Sequence, residues 1–366
     1  MGTVIVTGAS GLIGSQACNF FHEKGYNVVG IDNDMRSYFF GANASTNHSK
    51  DVLISSLKNY THYNTDIRDY VEMQNIFAKH GNIELVIHTA AQPSHDWAAN
   101  EPLTDFTVNA LGTMQLLELT RLYAPKSTFI FTSTNKVYGD RPNLSYDSGT
   151  PDKAYNGMTV KEMESRYEAF SQNGELMSVN ELMPIDHCKH SIFGASKVAA
   201  DIMVQEYGKY FGMNTVVFRG GCLTGPNHAG AELHGFLSYL VKCILRNRPY
   251  TIFGYKGKQV RDNIHSLDLI NMFWHYHMNP KPGAVYNAGG GRANSTSILE
   301  AIDSINRIAG TNWSNYTVSA TPRIGDHVWY ISDLAKFKQD YPTWDITVTL
   351  NETIKQMVEF ELKAME

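Results

Sequence analysis

The stretch that decides the fold reads Thr7-Gly8-Ala9-Ser10-Gly11-Leu12-Ile13-Gly14. It follows a short apolar run and precedes an amphipathic segment, so it predicts a sharp turn from a β-strand into an α-helix. In such a turn Gly8 permits the bend, Gly11 lets the backbone approach a pyrophosphate, and Gly14 lets the helix pack closely. The helix N-terminus would hold the anion. The pattern predicts a dinucleotide loop, and the alternative is that the glycines serve backbone geometry alone.

A carboxylate at the end of the second predicted strand supports the dinucleotide interpretation. Asp32 lies about twenty residues beyond the loop, where a carboxylate can accept hydrogen bonds from an adenosine ribose and would repel a 2′-phosphate. NAD is therefore favoured over NADP. Arg36 is close enough in sequence to contact a phosphate, so NADP stays open as the alternative.

Short β-branched runs alternate with amphipathic segments through the first half of the chain, which predicts a doubly wound parallel sheet of the Rossmann type. The predicted strands are Val4–Thr7, Val28–Ile31, Leu85–His88, Phe129–Thr132 and Thr215–Phe218. The predicted helices are Gly11–Lys24, Asp69–His80, Val108–Leu122, Gly194–Phe211, Phe236–Arg246, Leu267–His277 and Ser297–Ile308. We expect a dinucleotide-binding domain over residues 1–219, with an insertion at about 143–190 that acts as a lid or a partner surface, and a smaller substrate-covering part over 220–366.

Composition excludes several classes of function. The 366 residues carry a formal net charge of −5, which disfavours nucleic acid as a partner. No apolar run reaches the roughly 18–20 residues that a membrane span needs. The 4 cysteines form no CxxC pair and the 14 histidines show no metal-ligand spacing, so we expect no metal. The N-terminal segment lacks secretory-signal features, which predicts a cytoplasmic location.

Taken together, the motifs resemble the extended short-chain dehydrogenase/reductase family, specifically its NAD-dependent sugar epimerases and dehydratases. The resemblance rests on the glycine loop, Asp32, Asp66-Ile67, His88-Thr89-Ala90-Ala91-Gln92, Asn109 before Gly112-Thr113, Ser133-Thr134, Val137-Tyr138-Gly139 and Gly194-Ala195-Ser196-Lys197. Within the family, residues 134–140 and 257–262 look most like those of the CDP-paratose (tyvelose) 2-epimerases. The 4,6-dehydratases carry an Asp-Glu pair where this chain has Asn135 and Lys136, so dehydration is disfavoured.

The resemblance implies two sets of binding residues. The cofactor set is Gly8, Ser10, Gly11, Leu12, Ile13, Gly14, Asp32, Asn33, Arg36, Asp66, Ile67, Ala90, Ala91, Gln92, Asn109, Thr132 and Lys197. The substrate set, for a nucleotide sugar, is Thr134, Asn135, Lys136, Arg219, Gly221, Cys222, Arg261, Arg323 and Asp326. Arg261 and Arg323 are the expected ligands of the diphosphate, because a guanidinium can bind it in bidentate fashion. Surface salt bridges are the alternative role for both arginines.

The expected catalytic positions are Thr134, Phe193 and Lys197, and one of them departs from the family pattern. Members carry a tyrosine four residues before the lysine, and its phenol takes the hydroxyl proton of the sugar. Phenylalanine cannot do this. Three explanations compete: a natural variant with a relocated base, a binding protein without catalysis, or a substitution made to trap a ligand. Candidates for a relocated base are Tyr138, Cys222, His95 and Lys136.

The predicted function is epimerisation of a nucleotide sugar, at C2 of a CDP-sugar by preference. The sugar is oxidised transiently to a keto sugar by NAD, and the hydride returns to the other face. The alternatives are a C4 epimerase or another redox enzyme on a nucleotide sugar, and a catalytically impaired NAD- or nucleotide-sugar-binding protein. By analogy with the family we expect a homodimer formed through the helices near Val108–Leu122 and Gly194–Phe211.

Overall fold

The computed structural model describes residues 2–147, 155–228, 230, 235–323 and 325–365. Part of the predicted insertion, residues 148–154, lies outside the described residues. The chain divides into two compact units. Unit 1 comprises Met1–Val137, Ile192–Arg219 and Leu269–Tyr286, and unit 2 comprises Tyr138–Ser191, Gly220–Asp268 and Asn287–Glu366. The predicted boundary after residue 219 is one of several points at which the chain passes between the units.

The strands follow one another in chain order as β1 (Thr3–Thr7), β2 (Asn27–Ile31), β3 (Tyr60–Tyr63), β4 (Ile83–His88), β5 (Thr128–Thr134), β6 (Thr159–Glu162), β7 (Tyr167–Phe170), β8 (Asn214–Gly220), β9 (Cys222–Thr224), β10 (Tyr250–Phe253), β11 (Val260–His265), β12 (Ala284–Ala288), β13 (Ser295–Ser297), β14 (Tyr316–Ser319) and β15 (Trp329–Tyr330).

The helices are α1 (Leu12–Glu23), α2 (Met35–Phe40), α3 (Asn47–Ser56), α4 (Tyr70–Lys79), α5 (His95–Asn100), α6 (Pro102–Phe106), α7 (Gly112–Tyr123), α8 (Arg141–Asp147), α9 (Ser191–Phe211), α10 (Phe236–Leu245), α11 (Ser266–Met278), α12 (Ile298–Ala309), α13 (Ala335–Asp340) and α14 (Leu350–Lys363). A single π-helical turn, Thr107–Leu111, joins α6 to α7.

Unit 1 is built around a central sheet of seven strands in the described chain, in the order β3-β2-β1-β4-β5-β8-β12. The pairs from β3 through β5 are parallel. Strand β1 is buried along its whole length, because a central parallel strand is covered by helices on both faces. The strand order reverses beside β1, which leaves a crevice between the ends of β1 and β4. The predicted doubly wound α/β fold is confirmed.

The core of unit 1 joins the sheet to its helices. Ile5 pairs with Val29 on one side and Val86 on the other. These side chains pack in one cluster with apolar residues of α4, α7 and α9, among them Phe77, Leu116, Leu117, Ala200 and Val204. The predicted strands all lie inside observed ones, and the predicted helices agree with the observed ones to within a few residues. The predicted elements do not include β3 and β12 of the central sheet, most of the short strands and helices elsewhere, or α14 of unit 2.

Unit 2 contains smaller sheets and a separate apolar cluster. Strand β11 pairs with β13, β15 and β9, and β10 pairs with β14. Helices α10, α12 and α14 form the cluster with Leu240, Ile302, Ile305, Ile354 and Met357. A capping box begins α12: Ser297 accepts from the Glu300 N–H, and the Glu300 carboxylate accepts from the Ser297 N–H.

The described part of the insertion forms an antiparallel hairpin, β6 with β7, held within unit 2 by ion pairs. Glu162 lies 3.0 Å from Lys256 and 2.8 Å from Lys258. Glu168 lies 2.9 Å from Arg166 and 2.7 Å from Arg292. The hairpin is therefore anchored by charge on both strands, and its role as a lid or a partner surface stays a prediction.

His88 links three elements at the centre of unit 1 by hydrogen bonds. Its Nδ1 lies 2.7 Å from the Thr7 hydroxyl and its Nε2 lies 2.8 Å from the Thr113 hydroxyl, so β1, β4 and α7 share one imidazole. Burial and, to a smaller extent, the charge of Lys197 together lower the pKa of His88 to about 3. The imidazole is neutral at pH 7.

We expect His88 to make the protein sensitive to acid. Below the ordinary histidine pKa of about 6.5 the unfolded chain takes up a proton that the folded His88 refuses. Its contribution to stability is thus complete above that pH and is lost as the pH falls towards 3, at up to about 1.4 kcal/mol per pH unit. Urea denaturation between about pH 7 and pH 4 should show a flatter decline for His88→Gln than for the unchanged protein. His48→Gln, an exposed control on α3, should keep the original slope, and equal slopes for His88→Gln would contradict the assignment.

Candidate active site

At the glycine loop, the backbones of β1, α1 and the loop after β4 pack closely against one another. Gly8 has φ +69°, and a Cβ there would lie 2.7 Å from the Ala90 nitrogen. A Cβ on Gly14 would lie 2.0 Å from the Gly8 carbonyl oxygen. Gly11 precedes α1 and supplies no side-chain cap, whereas Asp69 caps α4 through the Glu72 N–H. The first-turn N–H groups of α1, at Leu12 and Ile13, therefore face a position suited to an anion.

Asp32 is held at the end of β2 by backbone groups. Its carboxylate accepts from the Ser10 N–H at 3.0 Å and from the Asp34 N–H at 2.8 Å. Burial raises the pKa of Asp32, and these N–H groups oppose that shift. The loop and the carboxylate, predicted separately from sequence, are thus in direct contact. This is the arrangement that a dinucleotide's adenosine half requires.

Four other predicted cofactor residues, Asn33, Arg36, Asp66 and Ile67, also have neighbours within unit 1. The Asn33 amide donates to Asp66 at 3.3 Å, and Asp66 pairs with Arg68 at 2.7 Å. The Arg36 guanidinium lies 5.0 Å from the centre of the Phe40 ring. Burial lowers the pKa of Arg36 to about 10, so it stays charged at neutral pH. Ile67 is buried in the core of unit 1.

An amide clamp fixes the loop after β4, which carries Ala90, Ala91 and Gln92. Asn109 accepts from the Gln92 N–H at 2.9 Å and donates to the Gln92 carbonyl at 3.0 Å. The same amide donates to Asp105 at 3.0 Å. The Asn109 amide therefore holds the loop in place, and its predicted contact with the cofactor stays a prediction.

Several buried polar atoms beside the glycine loop make no hydrogen bond to any described residue. They are the Ser10 Oγ, both polar atoms of the Gln92 amide and the Thr132 Oγ1. Buried polar groups are nearly always paired, so a cluster of unpaired ones at the carboxyl ends of β1, β4 and β5 suits a polar ligand. Because of these unpaired polar atoms, the residues around the glycine loop fit a dinucleotide ligand.

Lys197 and Phe193 occupy one turn of α9, four residues apart. The Lys197 ammonium donates to the Thr132 carbonyl at 2.9 Å and lies 4.2 Å from the centre of the Phe131 ring. Burial lowers the pKa of Lys197 to about 8, while Asp201 and Asp105 raise it. Phe193 is buried, and its ring meets His95 edge-on with 5.0 Å between the ring centres.

Thr134 ends β5 and begins a local turn. Its hydroxyl lies 3.5 Å from the Asn135 side-chain oxygen and accepts from the Lys136 N–H at 3.2 Å. Asn135 is 5% exposed, so the amide that replaces the dehydratase acid is largely enclosed. Lys197 of α9 donates to the Thr132 carbonyl on the same strand that Thr134 ends, and their role as a reacting centre stays a prediction.

The Arg219 guanidinium has a carboxylate partner, Asp201, inside unit 1. Its guanidinium donates to both carboxylate oxygens of Asp201 at 3.0 Å, and Ser133 donates to the same carboxylate at 2.8 Å. A doubly bonded, buried ion pair fixes the end of β8 against α9. Direct contact of Arg219 with a substrate stays a prediction.

The remaining predicted substrate residues belong to unit 2. Arg261 is buried and pairs with Asp326, and its guanidinium also donates to the Val260 carbonyl at 2.7 Å. Arg323 is half-buried. Gly221 lies against Asp262, since a Cβ there would approach a carboxylate oxygen to 2.7 Å, and Cys222 pairs with Asn263 in the β9–β11 ladder. Two predicted residues, Arg261 and Asp326, therefore bind each other.

Asp105 is a site residue that sequence analysis missed. It is fully buried, accepts from Asn109, and burial raises its pKa to about 6. Its sequence signal was the spacing, because a residue four positions before Asn109 lies on the same helical face. Ser196, whose hydroxyl accepts from Asn109 at 3.2 Å, extends the same cluster to α9.

Residues 4–160 and 168–289 match the family described as NAD dependent epimerase/dehydratase. The chain belongs to this family. The resemblance stated from the sequence is confirmed, and so is NAD as the cofactor, since dependence on NAD defines the family. CDP-paratose 2-epimerase of Salmonella typhi is 28% identical over 98% of each chain. A dTDP-glucose 4,6-dehydratase of Salmonella typhimurium is 25% identical, covering 98% of this chain and 92% of that protein.

The solved structures agree with this assignment. A UDP-glucose 4-epimerase of Thermotoga maritima, determined with UDP-glucose, superposes with a TM-score of 0.75 at 25% identity over the full length of both chains. Within the described residues, no helix has the length and apolar character needed to cross a membrane. The same residues contain no group of three or more His, Cys, Asp or Glu side chains that could hold a metal ion.

We expect Gly14→Ala to damage the cofactor site. Its methyl group would meet the Gly8 carbonyl oxygen, so α1 must move away from the loop at a cost of about 1–3 kcal/mol in stability. NAD affinity should fall about tenfold, equivalent to about 1.4 kcal/mol. Calorimetric titration with NAD measures this. Gly81→Ala is the matched control, because a Cβ there meets no atom within 4 Å. Equal NAD affinity in both variants would contradict the assigned loop.

Proposed function

We propose that the protein is an NAD-dependent epimerase of a nucleotide sugar and that it acts at C2 of a CDP-sugar. The observation that carries the proposal is the end-to-end similarity to a CDP-paratose 2-epimerase. The enclosed amide of Asn135 supports it against dehydration, because an amide cannot transfer the protons that removal of water requires.

The residues that would hold NAD are those around the crevice of unit 1. The first-turn N–H groups of α1 receive the pyrophosphate, Asp32 receives the adenosine ribose, and Ser10, Gln92 and Thr132 offer polar atoms that lack a described partner. When bound, NAD supplies reversible hydride transfer at a sugar carbon, so no net oxidation results.

The chain's own residues bind and orient the sugar nucleotide. Thr134 offers a hydroxyl to the reacting sugar hydroxyl, and the Lys197 ammonium interacts with the nicotinamide ribose, as in the family. Arg261 and Arg323 neutralise the diphosphate. Because Arg261 already pairs with Asp326, binding exchanges one anionic partner of the guanidinium for another.

Two alternatives rest on specific observations. A UDP-glucose 4-epimerase of Yersinia pestis is 28% identical over 95% of this chain, which supports chemistry at C4. Phe193 supports a binding protein without catalysis, since its ring has no titratable group.

Incubation with CDP-sugars and UDP-sugars in D2O distinguishes these functions. We expect inversion at C2 of a CDP-sugar, retention of the migrating hydrogen, and no accumulation of NADH, all measured by NMR and absorbance. Inversion at C4 would move the assignment to the 4-epimerases. Binding of NAD and nucleotide sugar without any inversion would establish the binding protein. Phe193→Tyr serves as the comparison, because it restores the family's phenol.

We further propose that the protein forms a homodimer through α7 and α9. These helices lie side by side in unit 1: Tyr207 donates to Glu118 at 3.2 Å, and Arg121 lies over the Phe211 ring. Large apolar side chains are exposed on both helices, on α6 and on the π-helical turn, namely Leu103, Phe106, Leu111, Met114, Leu122, Ile202, Tyr210 and Phe211. A second copy would cover this face with the same face of its own. The cytoplasmic location stays a prediction from sequence.

The dimer predicts that a charge on this face separates the subunits. Met114→Glu with Ile202→Glu should halve the mass measured by light scattering during gel filtration, because the glutamates cannot be buried unpaired. Val71→Glu, at a 67% exposed site on α4, is the control and should leave the mass unchanged. A single-chain mass for the unchanged protein would rule the dimer out.

A further inference from the structure

Phe193 leaves the reacting centre without its usual proton acceptor, and the structure places a different titratable ring against it. The imidazole of His95 meets the Phe193 ring with 5.0 Å between ring centres and 77° between their planes. His95 is partly exposed to solvent. Its ring therefore contacts the Phe193 side chain without being enclosed. Lys197 follows one helical turn beyond Phe193.

The backbone around His95 is fixed on both sides. Asn109 clamps Gln92 through two hydrogen bonds, at 2.9 and 3.0 Å. Ser94 is buried and its hydroxyl accepts from the Trp97 N–H at 3.4 Å. The Trp97 ring packs on Phe39 with 4.7 Å between ring centres. A catalytic side chain needs such support, because small displacements cost large factors in rate.

Three other titratable side chains, Tyr138, Lys197 and His88, make hydrogen bonds within the protein. Tyr138 is fully buried and its hydroxyl donates to the Asn287 side chain at 2.7 Å. The Lys197 ammonium donates to the Thr132 carbonyl and lies against the Phe131 ring. His88 is enclosed between two threonine hydroxyls. The ring of His95, by contrast, packs against the side chain that replaced the tyrosine.

We propose that His95 is the general base and acid of the reaction, and that it performs the proton transfer that Phe193 cannot. The assignment deepens the proposed function and rests on it. Imidazole suits the task because its free form gains and loses a proton near neutral pH. The proposal explains how a member of the family can lack the tyrosine without becoming inert.

The proton and electrons balance as follows. A His95 ring nitrogen takes the proton of the sugar hydroxyl, the hydrogen on the same carbon leaves as hydride to the NAD of the proposed function, and the C–O bond becomes a carbonyl. After the keto sugar has rotated within the site, the hydride returns to the opposite face of the carbonyl carbon. The imidazolium then returns the proton to the oxygen, so both imidazole and cofactor end as they began.

The first test compares variants of the whole protein loaded with NAD. His95→Gln should lower kcat by about 10²–10⁴-fold, the usual contribution of general acid–base catalysis. NAD affinity should stay within a factor of about two, well below the tenfold change that 1.4 kcal/mol would produce. His48→Gln is the matched control on the exposed surface of unit 1 and should keep full activity. A loss of less than about tenfold in His95→Gln overturns the assignment.

The second test does not depend on activity or on a variant that folds. The His95 ring Cε1–H signal is followed by NMR between about pH 5 and pH 8 in protein loaded with NAD+ or with NADH. A positive nicotinamide near the imidazole should lower its titration midpoint by on the order of one pH unit relative to NADH. Equal midpoints would place His95 away from the reacting ring and overturn the proposal. Absence of NAD binding, or of any turnover by the unchanged protein, overturns the proposed function together with it, whereas an active His95→Gln overturns the assignment of His95 alone.

Discussion

The close approach of three backbone segments, at Gly8, Gly14 and Ala90, is the constraint on which the structure depends. A single Cβ at Gly14 would reach to 2.0 Å from a carbonyl oxygen, so α1 can start where it does only without that atom. The position of α1 then fixes the direction of its first N–H groups. Because the Ser10 N–H donates to Asp32, the same packing point also determines where the carboxylate lies.

Much of the fold of unit 1 could be predicted, because its signals are local. Buried parallel strands appear as short β-branched runs, and the helices that cover them show apolar residues at helical spacing. Strand β12 was missed because its residues, Ala284–Ala288, mix small, aromatic and polar side chains. The passage of residues 269–286 back into unit 1 depends on pairing between distant segments, which no local pattern records.

The residues of the candidate site could be predicted from the sequence, but most of the contacts between them could not. The glycine loop and Asp32 have a fixed spacing, so their contact follows from the motif. The ion pair between Arg261 and Asp326 could not be foreseen, since both residues were assigned to the substrate and nothing in their spacing reveals that they bind each other. The contact of His95 with Phe193 likewise joins residues nearly a hundred positions apart.

The pairing of Arg261 with Asp326 has a consequence for selectivity. A guanidinium that already has a carboxylate partner gives up that partner only for a ligand with comparable negative charge. Neutral sugars offer no such exchange, whereas a diphosphate carries enough charge to compete. Under the proposed binding of a diphosphate at Arg261, Asp326 would compete with the ligand for the guanidinium: it neutralises the buried cation in the free protein, and an uncharged hexose could not replace it.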